Sequence, residues 1–144
     1  MTKASQQYRL IILACGASLA CAAPTMAAMV ELQADLKASN EVPPNESKGT
    51  GSVTATFDTD SNRLSWKGTV SGLIGTVTAA HFHAAEVGRN GAVAVPIIGA
   101  DNDSFEGSAT LTDTQAEDLM AGRWYVNIHT TTHKAGEIRG QVTK

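Results

Sequence analysis

Four histidines are the residues of this sequence whose types and spacing best support chemistry. His81 and His83 are separated by one residue, and on a β-strand such residues project from the same face, so their imidazoles can bind one ion. His129 lies in another alternating segment, and His133 follows it four residues later. Imidazoles without thiolates suit copper or zinc better than calcium or magnesium. The sequence therefore predicts a copper or zinc site formed by His81, His83 and His129, with His133 as a candidate fourth ligand.

A structural role for the same histidines is the alternative. Imidazole nitrogens can hydrogen-bond to loop backbone and so fix the glycine-rich segment at residues 86–92. The spacing does not decide between the two roles, because the meeting of His129 with His81 and His83 depends on the fold. Both interpretations stay open.

No motif for catalysis accompanies these histidines. The sequence has no Gly-x-Ser-x-Gly nucleophile motif, and the segment EVGRNGA lacks the spacing and lysine of a phosphate-binding loop. Asp58, Asp60 and Asn62 lack the glycine and distal glutamate of a calcium loop. Glu137 can be drawn as a general base near His129, but an ion pair or hydrogen bonds to a neighbouring loop are favoured for Glu137 and Arg139. We predict no catalytic residue and no organic cofactor.

Alternating apolar and polar residues indicate that β-strands hold the histidines. Within residues 123–130, Trp124, Val126 and Ile128 fall on one face, and Tyr125, Asn127 and His129 fall on the other. Phe82 is expected to point inward, because exposing a large aromatic side chain is costly, and this turns its two histidine neighbours outward.

The remaining pattern predicts the fold class. Seven or eight short alternating segments are separated by Gly, Pro, Asn and Asp clusters. One helix is indicated from Thr112 to Ala121, with Thr112 and Gln115 as a capping box and Gly122 as its stop. This combination predicts an all-β, antiparallel Greek-key β-sandwich with one short helix.

Residues 1–28 have the organisation of a cleaved signal peptide. Lys3 and Arg9 precede an apolar run at residues 10–23, and an alanine-rich segment follows. Cleavage is expected after Ala28, with Ala27 as the alternative. A single domain at residues 29–144 would then be periplasmic or secreted, with no stable membrane insertion after cleavage.

The leader also contains both cysteines, Cys15 and Cys21. Neither lies in a good lipidation motif, and the mature chain would have no disulfide and no thiolate ligand. Because Lys3 and Arg9 are the only charged residues removed, the net charge changes from −3 to −5 on cleavage. An acidic domain without a basic cluster argues against nucleic acid as a partner.

Three segments resemble, in order, the motifs of the CHRD domain family, which is named after chordin. They are NEVPPNESKGTGSVTATFD at residues 40–58, AAHFHAAEVGRNGAVAVPI at 79–97, and YVNIHT followed by GEIRGQV at 125–142. The resemblance covers roughly residues 30–142 and implies an all-β domain of a bacterial exported protein. The motif includes no histidine at position 133 and implies no defined biochemical role.

The predicted function is therefore that of an exported CHRD-like binding module with a histidine-based copper or zinc site. The alternative is an extracytoplasmic protein-interaction domain in which the histidines are structural. A superoxide dismutase-like metalloenzyme is less favoured, because the mature chain lacks a disulfide and has no evident bridging histidine or zinc loop.

Overall fold

Eight strands form one antiparallel sheet in the computed structural model of the protein, which describes residues 28–144. The predicted leader, apart from Ala28, lies outside these residues. The strands are β1 (Met29–Lys37), β2 (Thr50–Asp58), β3 (Arg63–Ser71), β4 (Val77–Ala84), β5 (Ala92–Ile97), β6 (Ser104–Thr110), β7 (Trp124–Thr130) and β8 (Ile138–Gln141). A short 3-10 helix follows β1 at Ala38–Asn40, and the α-helix α1 spans Asp113–Met120.

The strand order in the sheet is β5-β4-β7-β8-β1-β2-β3-β6. The sheet curls so that its two end strands, β5 and β6, contact each other. The chain crosses between the halves of the sheet after β3, β5 and β6. The predicted all-β, antiparallel architecture with one short helix is confirmed, and its two layers are halves of one curled sheet.

Alternating apolar side chains place a single core between the two halves. In β1, Leu32, Ala34 and Leu36 are buried, whereas the residues between them are exposed. Trp66 of β3 packs edge-on against Phe82 of β4, with ring centroids 5.1 Å apart. This aromatic contact joins the two halves, and burial of such large apolar side chains supplies most of the driving force for folding.

The helix α1 begins at the predicted capping box. Thr112 Oγ1 accepts a hydrogen bond from the Gln115 amide, and Gln115 Oε1 accepts one from the Thr112 amide. Gly122 adopts a positive φ of 73° immediately after the helix, which favours glycine. Within the described part of the chain, no helix is long and apolar enough to cross a membrane.

The predicted inward faces of β4 and β7 are confirmed: Phe82, Val126 and Ile128 have no exposed surface. Their neighbours Tyr125 and Asn127, on the polar face, are nevertheless 2% exposed. Two neighbours cover these residues: Glu41, in the loop after β1, accepts a hydrogen bond from Asn127, and the guanidinium of Arg139 in β8 lies over the Tyr125 ring. The outer face of the sheet around Tyr125, Asn127 and Arg139 is therefore a second, polar interior.

The substitution Ile128→Ala tests the assignment of faces in β7. Ile128 is fully buried, so its truncation is expected to lower the free energy of unfolding by about 2–5 kcal/mol. Ile98→Ala is the matched control, because Ile98 is 79% exposed and should change stability by less than about 0.5 kcal/mol. Urea unfolding of both variants measures the difference. Equal effects would mean that the faces are reversed.

Candidate functional site

Three of the four histidines converge on the outer face of β4 and β7. In the pairing of these strands, His81 lies opposite Asn127, His83 opposite Tyr125, and His129 opposite Ala79. His129 is therefore diagonal to His81, and the His81 and His129 ring centroids are 5.0 Å apart. One ring nitrogen from each of the three histidines lies within 4.8 Å of the other two. We call His81, His83 and His129 the histidine cluster.

His133 is outside the histidine cluster. It lies in the turn after β7, where its backbone amide donates to Thr130 Oγ1 at 3.1 Å. The structure thus brings together three of the four histidines that the sequence suggested as ligands.

Backbone carbonyls orient two of the clustered rings. His83 Nδ1 is 3.0 Å from the Gly91 carbonyl oxygen, and His129 Nδ1 is 3.0 Å from the Lys134 carbonyl oxygen. A carbonyl can only accept, so each Nδ1 carries a proton, and in the neutral ring Nε2 keeps its lone pair. Both Nε2 atoms are buried without a hydrogen-bond partner, as is Nδ1 of His81. Each ring therefore has one buried nitrogen with unmet bonding capacity.

The environment of His81 and His83 favours their neutral imidazole form. Burial lowers the pKa of His81, and the nearby His129 lowers it further. Burial also lowers the pKa of His83, more than the hydrogen bond to Gly91 raises it. Neutral imidazole is the form that binds metal ions.

The glycine-rich loop at residues 85–91 positions His83 through Gly91. The Gly91 carbonyl accepts from His83, and the Gly91 amide donates to the Tyr125 hydroxyl at 3.2 Å. A side chain at Gly91 would overlap the Ala84 carbonyl, so only glycine allows this close approach. Asn90 Nδ2 donates to the Val42 carbonyl at 3.0 Å and ties this loop to the segment after β1.

The His83 ring also packs in a stack of three side chains, in which Tyr125 lies between His83 and Arg139. The His83 and Tyr125 rings are parallel within 2°, with centroids 4.8 Å apart. The guanidinium carbon of Arg139 lies 3.8 Å from the Tyr125 centroid, a distance typical of a cation–π contact. Arg139 also donates to the Arg89 carbonyl and to Asn90, so β8, β7 and the glycine-rich loop are held together.

Glu41 is the counterion of Arg139 inside this polar interior. Its Oε2 is 3.5 Å from Arg139 Nε, and its Oε1 accepts from Asn127 Nδ2. Burial raises the pKa of Glu41 to about 7, although the Arg139 charge and the Asn127 hydrogen bond oppose this rise. The carboxyl therefore titrates near neutral pH.

Glu137 stabilises the turn after β7, in which the Lys134 carbonyl orients His129. Its fully buried carboxylate accepts from Ser47 Oγ at 2.6 Å, Thr130 Oγ1 at 2.6 Å and the Ile74 amide at 2.7 Å. Burial alone would raise the pKa of Glu137, but these hydrogen bonds outweigh it and hold the pKa below its usual range. Glu137 is thus an ionised acceptor whose two oxygens are engaged by Ser47, Thr130 and Ile74. The sequence favoured an ion pair or hydrogen bonds to a neighbouring loop for Glu137 and Arg139. Both residues form hydrogen bonds with neighbouring loops.

Sequence reasoning missed Glu41 and Tyr125 as supporting residues. Glu41 lies in a proline-rich connection with the appearance of an exposed loop, and Tyr125 has the alternation of a solvent-facing position. Both belong to the segments that carry the family resemblance. The family resemblance was the one sign in the sequence that these two residues support the site.

The fold and the histidine cluster define an all-β domain with a polar outer face covered by loops. The CHRD domain family model matches residues 32–142, which include all of β2 to β8. The chain therefore belongs to the CHRD domain family, and the predicted resemblance is confirmed. Neither a curated protein nor a solved structure matches the chain.

The substitution Glu41→Gln tests the buried carboxyl. Because its pKa rises from an ordinary 4.5 to about 7 on folding, the folded state binds the proton more tightly than the unfolded chain. As the pH rises from about 4.5 to above 7, the contribution of Glu41 to the free energy of unfolding therefore falls. The unfolding free energy of Glu41→Gln relative to wild type is expected to shift in favour of the variant by up to about 3 kcal/mol.

Urea unfolding at a series of pH values measures this shift. Glu31→Gln is the matched control for the chemical change, because Glu31 is exposed on β1. A difference between Glu41→Gln and wild type that stays constant with pH would contradict the raised pKa.

Proposed function

We propose that this CHRD domain is an exported binding module that holds a copper or zinc ion with His81, His83 and His129. The observation that carries the proposal is the convergence of three imidazoles, each with a buried and unpartnered ring nitrogen. A buried polar atom without a partner costs about 1–3 kcal/mol. A bound ion would remove this cost at all three nitrogens.

The distances support an ion at this place. Histidine nitrogens bind zinc at about 2.0–2.1 Å, so two nitrogens on one ion are at most about 4.2 Å apart. The clustered nitrogens lie within 4.8 Å of one another, close to this limit. The carbonyl anchors on His83 and His129 are the outer contacts that metal-binding histidines commonly have.

The ligand set favours copper or zinc. The cluster consists of imidazoles alone, and calcium and magnesium require oxygen ligands. Imidazole suits copper and zinc, and copper(II) binds more tightly than zinc at a given site of this kind.

Export is the second part of the proposal. The charged, apolar and alanine-rich segments of residues 1–28 support a signal peptide, and a periplasmic or secreted location follows from it. The intact mass of the exported form should correspond to cleavage after Ala28 or Ala27. A chain that retains Met1 would contradict export with cleavage of the leader.

A second candidate function is protein interaction, with the histidines as structural groups. The observation that favours it is a set of exposed apolar side chains in the glycine-rich loop and in and after β5: Val87 is 76% exposed, Ile98 79% and Val93 51%. Solitary exposed apolar residues are common, so this observation supports the candidate less strongly than the unpartnered nitrogens support metal binding.

Single substitutions of the histidines test metal binding. His81→Ala, His83→Ala and His129→Ala should each weaken copper and zinc affinity by about 10-fold or more, because each removes one ligand. His133→Ala is the matched control, since His133 is outside the cluster, and it should retain the wild-type affinity. Competition titration of untagged, metal-stripped protein measures the affinities.

Equal affinities across wild type and all four variants would contradict the metal site and favour the interaction function. Circular dichroism of each variant checks that a loss of affinity does not come from unfolding.

A further inference from the structure

The histidine cluster supplies three ligands, one fewer than a closed tetrahedral site contains. Within residues 28–144, the group contains no carboxylate and no thiolate beside its three imidazoles. His133 lies in the turn after β7 and is outside this group. Structural zinc sites have four protein ligands, whereas sites with three keep a position for another molecule.

The charge around this position favours an anion. Three neutral imidazoles do not offset the two positive charges of a copper(II) or zinc ion. The guanidinium of Arg139, behind Tyr125, is paired with Glu41 and so leaves the charge of such an ion uncompensated. The carboxylate nearest to that guanidinium, Glu41, is already paired with it and with Asn127. An ion in the cluster would therefore carry an unbalanced positive charge.

A solvent-facing depression lies beside His81, one of the three rings of the cluster. Its volume is about 230 Å³, and small or apolar residues of β4 and of the end of β5 line it, including Ala79, Pro96 and Ile98. Its lining has no acidic side chain that would repel an anion. His81 and His129 are both half-buried, so loops do not seal the cluster as they seal Tyr125.

We infer that an ion held by His81, His83 and His129 keeps one coordination position for a small exogenous anion, which enters beside His81. This inference rests on the proposed metal site. It makes the centre an open one that exchanges a ligand with solvent, in contrast to a closed structural site.

Azide titration of the copper(II)-loaded protein tests the inference. Azide bound to copper(II) produces a charge-transfer absorption band, and we expect a saturable band with one azide per copper. Saturation would show that the position is open.

The substitution Ala79→Glu tests whether the anion binds beside His81. Ala79 lies opposite His129 and two residues before His81 on the same face, so a carboxylate there would balance the charge or occupy the position. Azide affinity should be about 10-fold or more weaker in Ala79→Glu than in Ala79→Gln, which has the same size without the charge.

The outcomes separate this inference from the proposed function. Copper binding without any azide band in the wild-type protein would overturn the open position but leave the metal site intact. Equal azide affinity in the two Ala79 variants would overturn the place of entry beside His81. Failure of the wild-type protein to bind copper would overturn both the metal site and the inference.

Discussion

Burial of Phe82, Val126 and Ile128 is the constraint on which the candidate site depends. These side chains have no exposed surface, and any shift of strand register by one residue would turn them toward solvent. The pairing of β4 with β7 then fixes which residues share the outer face. His81, His83 and His129 meet because the core cannot accept another register. The apolar core on one face of the sheet thus positions the polar groups on the other face.

A second level of organisation lies on that outer face and consists of polar groups. Arg139 and Glu137 are two residues apart in the sequence, yet they bind separate partners: Arg139 pairs with Glu41, and Glu137 accepts three hydrogen bonds. Buried charges are costly unless such partners satisfy them. Their networks hold the glycine-rich loop and the turn after β7, whose carbonyls orient His83 and His129. The interactions that stabilise the buried charges therefore also orient the rings of the histidine cluster.

The strands, the helix and the inward faces were predictable because they follow from local patterns. Alternation identified the faces of β4 and β7, and the pair Thr112 and Gln115 identified the start of the helix. The buried pair of Glu41 and Arg139 was not predictable, because its members are far apart in the sequence and Glu41 follows a pattern typical of exposed loops. The sequence also suggested His133 as a candidate fourth ligand, and the group of histidines that lie close together does not include it. Such long-range outcomes depend on how loops pack.

Crystal diffraction at the copper absorption edge tests the central claim most directly. Copper-loaded crystals should contain one anomalous peak within about 2.0–2.1 Å of a nitrogen of each of His81, His83 and His129. The carbonyl contacts of Gly91 and Lys134 to the two Nδ1 atoms should remain in place. A peak at His133 or at the chain terminus, with none among the three clustered rings, would contradict the account. The histidines would then be structural groups of a CHRD domain whose function lies in its loops.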